Sequence, residues 1–72
     1  MVNKDLLIKA YKKSGVTITF LANQLHCSRN RVYSIMDGTG GECTVREVAV
    51  LSKLLRLTNE ERDKIFFGEI VN

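Results

Sequence analysis

Apolar residues recur along this chain at intervals of three and four, the spacing of a helix with one buried face, and strand-like alternation is weak. Leu6, Leu7, Ala10 and Tyr11 form a first stripe. Asn3 stands before it as a cap, and Gly15 follows Ser14 as a left-handed stop, so the spacing predicts a helix from about Asn3 to Ser14. Thr17 opens a second helix with Leu21, Ala22 and Leu25 inward. His26-Cys27 breaks it, and Ser28 caps a third helix that buries Val32, Ile35 and Met36 and ends near Asp37-Gly38. The glycines of GTGGE mark a loop.

Thr44-Val-Arg-Glu47 has capping-box spacing, with Cys43 and Val48 placed for a hydrophobic staple. The fourth helix is expected to run to about Arg56, offering Val45, Val48, Ala49, Leu51, Leu54 and Leu55 to the core. Thr58-Asn-Glu-Glu61 repeats the box and opens a short fifth helix through Ile65-Phe66-Phe67 to Gly68. No proline, low-complexity segment or internal repeat divides the chain, and 72 residues suit one domain spanning 1–72 with a small core. The fold class expected is all-α, with five short helices.

Composition narrows the functional classes. An apolar content of 44% is too high for disorder, yet its runs are too short for a membrane span. MVNKDLLIKAYKKSG lacks the unbroken apolar stretch of a secretory signal, so a cytoplasmic location is expected. The two cysteines, Cys27 and Cys43, do not form a disulfide framework, and with His26 they do not match structural-zinc spacing. No metal and no cofactor are expected. Net charge is +3. Residues 1–36 carry six basic groups against one acidic, and residues 37–72 carry five against seven. A basic half beside an acidic half suits a module that turns one side to a polyanion, although a solvated mixed surface has the same balance.

Two short helices with a brief turn make either an αα-hairpin or a helix-turn-helix. The latter needs a small residue where the helices approach (Ala22), apolar partners around it (Leu21, Leu25, Cys27, Val32, Ile35) and a polar opening to its second helix. Ser28, Arg29, Asn30, Arg31, Tyr33 and Ser34 supply that opening. Over LANQLHCSRNRVYSIMDG, with the Ser14-Gly15 helix end before it and LSKLLRLTNEER after it, the chain resembles the Cro and phage-repressor, or XRE-like, helix-turn-helix regulators. That resemblance implies a lambda-repressor-like five-helix domain with its helix-turn-helix at about 17–37. It also implies a double-stranded DNA operator read by helix 28–37 in the major groove, and binding as a homodimer.

The DNA contacts implied are Thr17, Ser28, Arg29, Asn30, Arg31, Tyr33 and Ser34. Arg29, Asn30 and Ser34 match base-reading positions, since Arg pairs with guanine and Asn with adenine. Ser28 doubles as cap and phosphate contact, and Arg31 and Tyr33 fall at the groove edge. A solvated helix face is the plain alternative for the two arginines.

Departures from the family pattern point elsewhere. Ile18 stands where relatives often carry glutamine, and Phe20 where they carry a charge. Both suit either partial burial or a protein contact. His26 replaces the turn glycine, a left-handed position that histidine tolerates at some cost. The loop DGTGGECT offers Asp37 and Glu42 where relatives place cations, leaving Arg46 and the fourth helix's amides to meet phosphate, so a weak grip on DNA is expected. At the other end, Phe67, Ile70 and Val71 are expected to serve a dimer or partner contact, with Ile65 and Phe66 in the core. These features favour a second function, an antirepressor that docks on a partner repressor and masks its DNA-reading surface. No nucleophile with a base, no acid pair in a cleft and no phosphate-binding glycine loop is present, so catalysis is not expected.

Overall fold

Each helix begins at a side chain that accepts a hydrogen bond from the backbone three residues on. In the computed structural model, which describes residues 2–68, the helices are α1 (Lys4–Ser14), α2 (Ile18–Leu25), α3 (Arg29–Met36), α4 (Val45–Leu54) and α5 (Asn59–Phe66). Asn3, Thr17, Ser28, Thr44 and Thr58 are their caps, accepting from Leu6, Phe20, Arg31, Glu47 and Glu61 at 3.0–3.2 Å. Each cap is worth about 1 kcal/mol. Both predicted capping boxes close, Glu47 and Glu61 accepting from the amides of Thr44 and Thr58 at 2.9 Å. The protein is all-α, with no strand among the described residues.

The helix ends show where the sequence misleads. Gly15 takes the expected left-handed turn after α1, and His26 does the same after α2 at φ 57. The fourth helix stops at Leu54, short of the expected Arg56. Arg56 is itself left-handed at φ 56, and the Leu57 amide donates back to the Ser52 carbonyl at 2.9 Å. This is a Schellman closure with arginine in the place that glycine usually takes.

One core collects the inward stripes. Leu7, Leu21, Val32 and Leu51 are fully buried, with Ile35, Met36, Val48, Leu55, Ile65 and Phe66 around them. Ala22, the small residue expected between α2 and α3, is buried. Cys27 and Cys43 are half-buried against this core. Two expected core residues are not in it: Val45 is 87% exposed and Ala49 is exposed. They lie four apart on one face, and α4 buries the neighbouring stripe of Val48, Leu51 and Leu55 instead. The amide of Asn3 donates to the carbonyl of Ile65 at 2.7 Å, tying the start of α1 to α5.

Candidate nucleic-acid interface

The α2–turn–α3 unit sets the geometry. His26, Cys27 and Ser28 link the two helices, with the His26 and Cys27 amides returning to the Asn23 and Ala22 carbonyls at 3.3 and 3.0 Å. Val32, Ile35 and Met36 face the core, and part of the opposite side of α3 faces solvent. Arg29, Asn30 and Tyr33 are exposed on it, Tyr33 at 54%. Ser28 and Thr17 are exposed at the openings of α3 and α2, their side-chain oxygens already engaged as caps while each hydroxyl proton remains to be donated.

Two of the expected contact residues are placed differently. Ser34 is half-covered, because its carbonyl accepts the amides of Thr39 and Gly40 at 3.1 and 3.0 Å and the loop folds over it. Arg31, expected at the groove edge, turns its guanidinium to the protein. Its Nε and Nη2 donate to the two Glu47 carboxylate oxygens at 3.0 and 2.8 Å, and Nη1 donates to the Gly40 carbonyl at 2.8 Å. A fork of this kind is among the stronger charged contacts, and it holds α3, the loop and α4 together. The Arg31 hydrogen bonds pull the Glu47 carboxyl below its ordinary range, and Glu47 in turn raises the Arg31 guanidinium.

No local pattern in the sequence announces this pair, since 16 residues separate its members. The same loop approaches α3 closely at Gly40, where an added Cβ would lie 2.8 Å from Arg31 Nη1 and 3.2 Å from the Ser34 carbonyl carbon. Asp37, at the end of α3, receives the Thr39 hydroxyl at 2.6 Å and the Thr39 amide at 2.9 Å, bonds that lower its carboxyl pKa.

The loop is less poor in cations than its own residues suggest. The Lys4 side chain passes Gly38, with its Cδ 3.7 Å from where a Cβ would stand, and so brings a charge from α1 to the end of α3. Sequence reasoning missed this residue; only the α1–α3 packing reveals it. Arg46 is exposed in the first turn of α4.

The residues expected to touch a protein partner divide. Phe20 is 42% exposed and Phe67 52%, whereas Ile18 is half-buried against the core, the partial burial weighed for it. Ile70 and Val71 lie outside the described residues. Burial raises the Cys43 thiol pKa, which disfavours the reactive thiolate. Among the described residues, no three His, Cys, Asp or Glu side chains gather as a metal site. No helix there is long and apolar enough to cross a membrane. Protein-family models, curated proteins and solved structures yield no match to this chain.

Proposed function

We propose that the protein is a small DNA-binding regulator of the Cro and phage-repressor type, with α3 as its recognition helix. One observation carries the reading: α3 buries its apolar side completely and leaves Arg29, Asn30 and Tyr33 exposed along its outer side. Asn30 and Arg29 would read base edges, Ser28 and Thr17 would donate to phosphate from the helix openings, and Lys4 and Arg46 would flank the backbone. Arg31 acts in this scheme as a brace that sets the angle of α3, not as a phosphate contact. Binding as a dimer to two half-sites about one DNA turn apart fits the same reading.

The test is an amide NMR titration with a short mixed-sequence duplex at low and then moderate salt. Salt-sensitive shifts at Thr17 and from Ser28 to Tyr33 support it; still amides at low salt refute it.

A second reading, the antirepressor, has its own observation. Phe20 and Tyr33 are both large exposed rings on α2 and α3, and Arg31 commits its guanidinium to Glu47 and Gly40. Exposed rings suit a protein partner, and such a protein would mask a repressor's DNA-reading surface. If the duplex leaves the amides unmoved, immobilised Phe20→Ala and native proteins compared for capture of a purified phage-type repressor decide this alternative.

A further inference from the structure

A groove of about 720 Å³ runs between α1 and the α4–α5 turn, and none of its lining residues belongs to α2 or α3. Leu6, Ala10, Leu55, Leu57 and Ile65 line its apolar part. Lys9, Lys13, Arg56 and Lys64 line its charged part, and all four are exposed. The one acid lining it, Glu61, is engaged by the Thr58 amide as half of a capping box. Among the described residues, Lys9, Lys13 and Arg56 have no carboxylate within ion-pair distance, and Lys64 meets only the exposed Glu60 at 3.6 Å.

We propose that this groove is a docking site for an acidic amphipathic helix of a partner protein. Spacing favours a helix. Lys9 and Lys13 lie one turn apart, about 6 Å along α1, and Leu6 and Ala10 repeat that interval beside them. An apolar row next to a basic row is the complement of a helix whose apolar stripe is bordered by carboxylates three or four residues apart. A compact anion would satisfy one cation and leave the row unused. Arg56 extends the basic border across the groove from a turn held rigid by the Schellman bonds of α4. The surface is independent of whether α3 reads DNA.

The probe is a synthetic peptide of about 18 residues, long enough to form helix, with leucines at helical spacing bordered by glutamates. Its controls are a scrambled peptide of the same composition and a version with lysine in place of glutamate. Expected are saturable amide shifts at Leu6, Lys9, Ala10, Lys13 and Leu57, with α3 unmoved. The Lys9→Glu/Lys13→Glu protein should lose about tenfold in affinity for the acidic peptide and gain affinity for the lysine version. Both positions are solvent-exposed, and an unchanged spectrum elsewhere establishes that the variant is folded. Equal binding of the scrambled peptide, shifts centred on α2 and α3, or indifference to the charge reversal would each overturn the proposal. So would peptides that fail to bind while phosphatidylglycerol-containing vesicles bind the native protein and not the variant, which would make the groove a membrane-facing surface.

Discussion

At the scale of single residues, the left-handed positions and the Arg31–Glu47 fork matter most. His26 and Arg56 occupy a conformation that costs a side chain about 1 kcal/mol or more. His26 is exposed and replaceable, so His26→Gly should stabilise the fold by about 0.5 to 1 kcal/mol after the greater entropy of the unfolded glycine is counted. Urea denaturation of the two proteins checks this.

For Arg31 and Glu47, a double-mutant cycle to alanine should return a coupling of about 1 to 2 kcal/mol, more than an exposed pair gives. Its pH dependence follows from the lowered Glu47 pKa. A carboxyl with a depressed folded pKa contributes fully above its unfolded value, about 4.3, and loses that contribution as pH falls through the folded value. The deficit of Glu47→Gln should therefore be complete at neutral pH and shrink in acid, as stability curves at a series of pH values would register.

At the scale of elements, the loop between α3 and α4 is fixed rather than loose. Gly40 packs against Ser34 and the held guanidinium, so Gly40→Ala should destabilise by about 1 to 3 kcal/mol through overpacking. Gly41 has open space and only its φ of 75° to defend, and Gly41→Ala should cost about 1 kcal/mol. Thermal unfolding of the two variants separates the causes.

The same elements show what the sequence makes legible. All five caps were readable because a cap bond spans three residues and needs only a short polar side chain before an apolar stripe. The α3 surface was readable for a similar reason: periodicity alone assigns Val32 and Ile35 inward and Asn30 outward. Arg31 was not readable, because its partner Glu47 stands 16 residues away in the first turn of α4 and only the folded chain brings them together. Val45 misled because an apolar residue in the first turn of a helix satisfies the pattern whether or not the core reaches it. Arg56 gave no signal, since the local bonds that turn the chain there are made by backbone.

At the scale of the molecule, the division into a basic and an acidic half does not become two faces. Lys9 and Lys13 join Arg56 and Lys64 along the groove, Arg31 is neutralised by Glu47, and Arg29 with Lys4 remains near α3. If α3 binds DNA, a small number of phosphates is neutralised. With about three contacts per chain, the logarithm of affinity should fall with the logarithm of salt at a slope near −3 per chain. Lys9→Glu/Lys13→Glu should leave that slope nearly unchanged, and fluorescence anisotropy across a salt series measures both proteins.

The bond from the Asn3 amide to the Ile65 carbonyl has a consequence for chain order. It brings the entrance of the first helix beside the last, so a short linker can join the two without disturbing the helices. Joining Gly68 to Val2 with about six glycine and serine residues, and opening the chain at the exposed Gly41, should give a circular permutant with the same circular dichroism and the same arrangement of α3. It would place Arg31 and Glu47 toward opposite ends of the new sequence, so the fork would join the two terminal segments instead of spanning a loop.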